Sequence, residues 1–171
     1  MDSPSTDNIL IDEGILHQDI IRKLEAVYGA ALAATQTAID TATDKENVPE
    51  HKYDTLSLEA SYLAHGQAQR LQQCLRELHS FKDLPVKNWL DSDRVSIGAL
   101  VKLLGDDEKC EKWFFLSSVA GGLSVQFSSI MVQLITPESP LGKALMGKSV
   151  DDEVVINIAN HTKCYEIMSI Y

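Results

Sequence analysis

Residues 40–53, with the sequence DTATDKENVPEHKY, form a short polar segment between two long stretches of helical periodicity. The acidic residues of this segment are Asp40, Asp44, Glu46 and Glu50. Pro49 lacks a backbone N–H and disfavours helix at Val48, so it separates the two stretches. Two helices joined by a short loop are antiparallel neighbours. The sequence therefore predicts a helical hairpin with these four acids at its far end.

Small and apolar residues recur every three or four positions on both sides of this segment. Before it they are Ile20, Leu24, Val27, Ala31, Ala34 and Ala38, a strict four-three alternation. After it they are Leu56, Ala60, Leu63, Gln67, Leu71, Cys74, Leu78 and Phe81, with one four-four step at Gln67. This spacing puts one apolar seam on each helix, and the four-four step predicts a local change in supercoil. We expect helices over about 14–41 and 55–80, with Asp54-Thr55 as the N-cap of the second.

Composition limits the class of function. The chain has 171 residues, 44% of them hydrophobic, which is enough for one full domain or two small ones. Its net charge of −10 argues against a protein that tracks nucleic-acid phosphates. The charge is concentrated in residues 1–81, which carry 6 basic and 13 acidic side chains.

Localisation is expected to be cytoplasmic. No apolar run is long enough to span a bilayer, and the acidic N-terminus lacks the pattern of a signal peptide. Cys74, Cys110 and Cys164 lie far apart in the sequence, which fits three reduced thiols better than a disulfide framework or a paired metal motif. The five histidines show no metal-ligand spacing.

Four segments follow from these patterns: a mobile acidic tail (1–13), the coiled-coil hairpin (14–81) with its acidic tip (40–53), a linker (82–93) and a C-terminal domain (94–171). The C-terminal domain contains strand-like runs at 94–104, 112–118, 125–135, 154–158 and 164–170. Ser139 as N-cap and Pro140 at the first helical position predict one short helix that Gly147 ends. The sequence therefore predicts an α+β protein in which a twisted antiparallel sheet and a short helix follow the hairpin.

The C-terminal third resembles bacterial Gre-type (GreA/GreB) transcript cleavage factors. The family signature reads roughly S-P-L-G-x-A-L-x-G-K-x-x-G-D-x-V and is followed by a Y-x-I strand. This chain matches it with SPLGKALMGK at 139–148, with Asp152 and Val154, and with YEI at 165–167. Asp151 stands where the family usually has glycine, and aspartate tolerates the left-handed conformation that this position needs. Glu46-Asn47 and Tyr53 resemble the family's tip sequence.

This resemblance implies an antiparallel coiled-coil hairpin followed by an FKBP-like antiparallel-sheet domain. It implies that the globular domain binds RNA polymerase, with Glu138, Ser139 and Pro140 on the contact surface. The hairpin would enter the polymerase's secondary channel, where Asp44 and Glu46, with Glu50 as a further ligand, would help hold a Mg²⁺ ion shared with the polymerase. Asp40, Asn47 and Tyr53 would support the tip.

The same resemblance implies a role for the chain as an accessory factor that stimulates cleavage of backtracked RNA. The polymerase is then the enzyme, and the isolated chain is expected to hold no Mg²⁺. It would meet the nascent RNA 3′ end only inside the polymerase, bind neither DNA nor membrane by itself, and act as a monomer.

The tip departs from the family pattern. Aligning Glu46-Asn47 on the family's E-N puts Thr43 at the first acidic position and Asp44 one residue out of register, while Val48-Pro49 lengthens the loop. One alternative is therefore a Gre-fold regulator that occupies the channel without cleavage. Two others are a prolyl isomerase or chaperone built on the FKBP-like domain, and a coiled-coil adaptor that dimerises through its seam.

Overall fold

The computed structural model describes residues 11–44, 55–90, 92–105, 110–159 and 161–171. Two long helices come first, α1 (Glu13–Thr43) and α2 (Thr55–Lys82). The remaining elements are β1 (Leu100–Gly105), β2 (Glu111–Leu116), β3 (Ser124–Phe127), β4 (Ile130–Ile135), α3 (Pro140–Leu145), β5 (Glu153–Ile158) and β6 (His161–Ile170). This order confirms the predicted α+β class.

The chain divides into two compact units. Residues 1–20 and 84–171 form one, here called the globular unit, and residues 21–83 form the other, the hairpin unit. The boundary falls inside α1, so the first two turns of this helix belong with the sheet. The division of the sequence into a tail (1–13) and a hairpin (14–81) stays a prediction.

α1 starts where the sequence supplies a cap. The backbone N–H of Ile15 donates to Asp12 Oδ1 at 3.0 Å, which satisfies a donor that has no partner inside the helix. The helix begins at Glu13, one residue before the predicted start at about residue 14.

The buried seam of α1 differs from the predicted one at one position. Ala31, Thr35 and Ala38 are buried, whereas Ala34 is exposed. The Thr35 hydroxyl lies 2.8 Å from the carbonyl oxygen of Ala31 and 3.1 Å from that of Gln67 on α2. A polar side chain can occupy the seam here because its hydroxyl proton has carbonyl acceptors.

The seam of α2 is also shifted by one residue at its middle. Leu63 is 57% exposed, and Ala64 takes the partly buried position. The partly or fully buried positions of α2 are 57, 60, 64, 67, 68, 71, 74, 75, 77, 78 and 81. Gln67 and Leu71 of the predicted four-four step are both partly buried, whereas Ala64 replaces Leu63 in the seam. The backbone of α2 comes within hydrogen-bonding distance of Thr35 at this level, and such a close approach favours alanine over leucine in the seam.

The base of the hairpin unit has a larger apolar core. Leu24 on α1 and Cys74, Leu78 and Phe81 on α2 are all buried. An ion pair between Lys82 Nζ and Glu25 Oε1, 2.7 Å apart, joins the two helices at the surface beside them. The seam thus has large side chains at its base and alanines further along.

The sheet has six strands in the order β3-β4-β2-β1-β6-β5. It is mixed, because β2 pairs in parallel with β4 over Trp113–Leu116, and the prediction of an antiparallel sheet was wrong in this respect. β4 (IMVQLI) is longer and more apolar than β3 (SVQF), so it gains more from an interior position. The short β3 then forms the edge, where a short strand limits unwanted pairing.

Both faces of the sheet are covered within the globular unit. One face contributes Val101, Leu103 and Ile167 to a core cluster that also holds Leu145 of α3. On the other face Leu100, Phe115 and Tyr171 line a small cavity together with Leu16 and His17 of α1. The first turns of α1 therefore complete the second layer of this unit.

The first predicted strand is shorter than expected. β1 begins only at Leu100, because the backbone turns at Gly98 with a φ of 96°. Val95 instead exchanges backbone hydrogen bonds with the segment after α3, through Gly147 N–H and Lys148 C=O at 2.8 Å each. Val95 remains buried, so this segment joins the core without joining the sheet.

Candidate functional site

The described part of the predicted tip consists of the last turn of α1 and Asp44. Asp40 is exposed, and its Oδ1 accepts a hydrogen bond of 2.7 Å from Gln36 Nε2 one turn earlier. Asp44 follows Thr43, the last residue of the helix, and is exposed as well. The remaining predicted tip residues, Glu46, Asn47, Glu50 and Tyr53, lie outside the described residues, as does the predicted cap residue Asp54.

Threonine hydroxyls dominate the surface of the last turns of α1. Thr37, Thr41 and Thr43 each donate to the carbonyl four residues earlier, at 2.9–3.1 Å. In the register predicted from Glu46-Asn47, Thr43 falls at the first acidic position of the family's tip, and its hydroxyl bonds to its own helix.

Asp40 lies in the last turn of α1, and Asp44 directly follows the helix. The C-terminal end of a helix carries a partial negative charge, and the last turn of α1 contains no basic residue. Two carboxylates at this position would be stabilised by a bound cation. In the described part of the chain, no three His, Cys, Asp or Glu side chains are grouped as a metal site.

The second predicted site is the turn from β4 into α3. Ser139 caps α3: its Oγ accepts from Gly142 N–H at 3.0 Å and donates to Thr136 C=O at 2.8 Å. Pro140 is the first helical residue, and Gly147 follows the helix with a φ of 76°. The predicted helix start is confirmed at Ser139-Pro140.

Gly142 has no Cβ atom, and this turn depends on that. A Cβ atom at this residue would lie 2.0 Å from the carbonyl oxygen of Thr136, which is backbone and cannot rotate away. Gly142 is the fourth residue of the SPLGKALMGK motif at 139–148. Its close approach to Thr136 could not be read from the sequence, because it depends on how β4 and α3 meet.

The turn presents its three predicted contact residues unequally. Glu138 and Pro140 are exposed, whereas Ser139 is partly buried and its hydroxyl is used in the cap. Glu138 and Pro140 are therefore available to a partner, and Ser139 positions them.

Asp151 shows how a departure from the family pattern is accommodated. Its φ is 68°, in the left-handed region, and its N–H donates to Ile167 C=O at 2.9 Å. This confirms that aspartate takes over the conformation for which the family uses glycine.

An open groove of about 650 Å³ lies in the globular unit where β2 and β4 begin. Trp113, Ser124 and Met131 are among its lining residues. Glu138 follows the other end of β4, so the groove and the predicted polymerase contact are separate. No described helix combines the length and apolar character needed to cross a membrane.

Comparison with known proteins gives matches to GreA/GreB-type transcription elongation factors. The family profile "Transcription elongation factor, GreA/GreB, C-term" matches residues 90–171. Transcription elongation factor GreA of Novosphingobium aromaticivorans is 35% identical over 81 residues, which are 47% of this chain and 47% of the relative. GreA of Rhizobium leguminosarum bv. viciae is 31% identical over 81 residues, 47% of this chain and 48% of the relative. The chain thus spans about half the length of these two curated relatives.

Two further matches cover more of the chain at lower identity. GreA of Syntrophus aciditrophicus is 26% identical over 161 residues, 90% of this chain and 89% of the relative. The crystal structure of GreA factor homolog 1 (Gfh1) of Thermus thermophilus is similar over 88% of this chain and 94% of its own, with 16% identity and a TM-score of 0.38. Residues 90–171 are thus similar to the C-terminal domain of GreA/GreB transcription elongation factors.

Proposed function

We propose that the chain binds RNA polymerase, inserts its hairpin into the secondary channel and stimulates cleavage of backtracked RNA. The observation that carries this proposal is the position of Asp44, directly after the last residue of α1 and at the end of the hairpin unit. α2 has 28 residues and is about 42 Å long at about 1.5 Å per residue. A helical pair of this length can carry carboxylates deep into a partner.

In this proposal Asp44 and Glu46, with Glu50, offer carboxylate oxygens to a Mg²⁺ ion that the polymerase also holds. The donor chemistry fits, because Mg²⁺ is a hard cation that binds oxygen ligands and usually needs only one or two carboxylates beside those of its other partners. When bound, the ion supplies an activated water and neutralises charge during phosphodiester hydrolysis. The chain acts as an accessory factor, and the polymerase is the enzyme.

The other predicted residues have positioning roles. Asp40, Asn47 and Tyr53 support the tip, and the hydrogen bond from Gln36 already fixes the direction of the Asp40 carboxylate. Glu138 and Pro140 contact the polymerase from the turn that Ser139 holds.

The remaining features of the proposal concern partners and location. The chain acts as a cytoplasmic monomer and meets the RNA 3′ end only inside the polymerase. It does not bind DNA independently, and its net charge of −10 supports this because phosphates repel an acidic surface.

A second candidate function, occupation of the channel without cleavage, is favoured by one observation. Thr43 stands at the position of the family's first tip acid, and its hydroxyl bonds to Ile39 C=O at 2.9 Å. This residue supplies no carboxylate, so the tip relies on Asp44 one residue later. A misplacement of about 1 Å can cost on the order of 10²-fold in rate.

The test is RNA cleavage in a stalled, backtracked elongation complex of the cognate polymerase. We expect the wild-type chain to shorten the transcript from its 3′ end, and Asp44→Asn or Glu46→Gln to reduce cleavage at least about tenfold while polymerase binding stays unchanged. Glu77→Gln is the matched control, because this acid lies on α2 far from the tip and accepts a hydrogen bond from Gln73 that glutamine can also accept.

The outcomes separate the two functions. Polymerase binding without cleavage by the wild-type chain would contradict the first proposal and support the channel-occupying regulator. The absence of both binding and cleavage would exclude both functions.

A further inference from the structure

The chain between α2 and β1 contacts elements on both faces of the sheet. Its described residues 85–90 and 92–95 are here called the strap. Residues 85–87 line the small cavity beside the first turns of α1, on one face of the sheet. Trp89 packs against the core cluster on the other face, which also holds Leu145 of α3. The strap therefore reaches from one layer of the globular unit to the other.

Glu13 ties the strap to α1. Its carboxylate, in the first turn of the helix, accepts a hydrogen bond from the backbone of Trp89. Within the described chain, Glu13 Oε2 is buried and has no hydrogen-bond partner. A carboxylate with one oxygen in this state depends strongly on the hydrogen bond that it does make, because burial removes the water that would otherwise solvate its charge.

The other end of the strap holds the residues after α3. Val95 N–H donates to Lys148 C=O, and Gly147 N–H donates to Val95 C=O, at 2.8 Å each. Arg94 Nη1 donates to Gly147 C=O at 3.4 Å. α3 has 6 residues and is about 9 Å long at about 1.5 Å per residue. The strap therefore holds the end of a short helix whose start carries the predicted polymerase contact.

A group of polar contacts connects these two ends inside the strap. Asp93 Oδ2 lies 3.1 Å from Lys87 Nζ and accepts from Leu90 N–H at 3.2 Å. Asp93 N–H donates to Leu90 C=O at 2.8 Å, and Lys87 Nζ lies 3.9 Å from the centre of the Trp89 ring. These contacts continue the chain of bonds from Trp89, at the α1 end, to a point two residues before Val95.

We propose that Glu13, acting through the strap, positions Glu138 and Pro140 for contact with polymerase, an inference that rests on the proposed function. α3 is held at its start by the Ser139 cap and at its end by the strap. When the strap loses its bond to Glu13, Val95 and the end of α3 gain freedom, and the turn at the start of α3 loses its fixed orientation. By linkage, a partner that immobilises this turn also strengthens the bond between Glu13 and the strap.

The first measurement is made on the free chain. Glu13→Ala removes the carboxylate that accepts from Trp89, and alanine is a good helix former, so α1 should be retained. We expect the backbone amide NMR signals of Val95 and Gly147 to shift or broaden, while the signal of Leu134 in β4 stays unchanged. Glu13→Gln keeps an oxygen that can accept from the Trp89 backbone and should restore the wild-type signals.

The second measurement is the affinity for the cognate RNA polymerase, by competition with the labelled wild-type chain. We expect Glu13→Ala to bind about three- to tenfold more weakly, the usual size of an effect transmitted through packed residues. The same substitution added to the double variant Glu138→Gln with Pro140→Ala should cause no further loss, because the turn through which Glu13 acts no longer makes its contact. A merely structural role for Glu13 would lower the affinity equally in both backgrounds.

Glu111→Ala is the matched control. It removes an ion pair between Glu111 Oε1 and Lys102 Nζ, 2.7 Å apart, which lies on the sheet and outside the strap. The Val95 and Gly147 signals of this variant and its affinity for polymerase should equal those of the wild type.

The outcomes separate this inference from the proposed function. A wild-type chain that does not bind polymerase overturns the proposed function, and this inference with it. Where the wild type binds, unchanged Val95 and Gly147 signals in Glu13→Ala overturn this inference alone. An affinity loss that is equal in both backgrounds, or that Glu111→Ala reproduces, does the same. Signals that Glu13→Gln fails to restore also overturn it, since the effect would not depend on the hydrogen bond to Trp89.

Discussion

Gly142 is the residue on which the turn between β4 and α3 depends most strongly. A Cβ atom here would meet Thr136 O at 2.0 Å and Thr136 C at 2.8 Å. The backbone would have to shift and would disturb the cap made by Ser139. We expect Gly142→Ala to lower the free energy of unfolding by about 2–3 kcal/mol, as overpacking against fixed atoms does. Urea denaturation measures the change.

Gly66 provides the control for this substitution. It lies inside α2, and apart from the backbone of its own helix and its chain neighbours no atom lies within 4 Å of the position of its Cβ. Gly66→Ala should therefore raise the free energy of unfolding by about 0.5–1 kcal/mol, since alanine is the better helix former. A loss of stability in both variants would contradict the steric explanation given for Gly142.

Ser139 and Glu138 are neighbours with different roles, and substitution should separate them. Ser139→Ala removes the N-cap and should cost about 1 kcal/mol of stability. Glu138→Gln changes only an exposed side chain and should leave stability within about 0.5 kcal/mol while weakening polymerase binding. Thermal unfolding and polymerase competition measure the two effects. Equal stability losses in both variants would show that Glu138 also has a structural role.

Residue-scale features were predictable where they depend on local backbone conformation. The cap at Ser139, the glycine after α3 and the left-handed Asp151 all follow from short sequence patterns. The contact between Gly142 and Thr136 depends on the angle between a strand and a helix. The angle between the strand and the helix cannot be predicted from a local sequence pattern.

The register of α1 can be tested with two alanines that the sequence places in the same seam. Ala31 is buried, whereas Ala34 is exposed. Ala31→Leu should overpack the hairpin unit and cost about 1–3 kcal/mol. Ala34→Leu should change stability by no more than about 0.5 kcal/mol, because its side chain points to solvent. Denaturation of the two variants side by side measures the difference, and equal losses would restore the register predicted from the sequence.

The seam of each helix was predicted correctly at its base and wrongly in its middle. Leu78 and Phe81 are both apolar and buried, so hydrophobicity alone identifies them. In the middle, Thr35 and Ala64 take seam positions that hydrophobicity assigns to Ala34 and Leu63. The reason is the close approach of the helices, where a hydroxyl that reaches two carbonyls and a small side chain fit better than a leucine.

At the scale of the whole molecule, strand order was the feature that the sequence did not reveal. The strands themselves lie near the predicted runs, but β2 pairs in parallel with β4 and leaves β3 at the edge. The inclusion of the first turns of α1 in the globular unit is equally non-local, since Leu16 and Leu100 line one cavity although they lie far apart in sequence. Periodicity describes one element at a time and contains no information about such pairings.

The globular unit also links stability to pH through Glu13 and His17, which line the same small cavity as Lys87 and Tyr171. Burial lowers the pKa of His17 below its ordinary value of 6.5. His17 therefore contributes stability that is fully present above pH 6.5 and is lost as the pH falls through its folded-state pKa. Burial raises the pKa of Glu13 above 4.5, against a lowering by its hydrogen bond with the Trp89 backbone. The contribution of Glu13 is fully present below pH 4.5 and is lost as the pH rises through its folded-state pKa.

The two groups thus oppose each other between pH 4.5 and 6.5, and single variants should reveal each contribution. In His17→Gln the free energy of unfolding should rise relative to wild type as the pH falls from 6.5, because only the Glu13 contribution remains. In Glu13→Gln the free energy of unfolding should fall more steeply than in wild type over the same range, because only the His17 contribution remains.

Asp93 does not interfere with this comparison. Hydrogen bonds from the Leu90 backbone and Lys87 lower the pKa of Asp93 from 3.8, so its contribution to stability is lost only at more acidic pH. Urea denaturation at several pH values measures the slopes, and parallel curves for the three proteins would show that neither group is linked to folding.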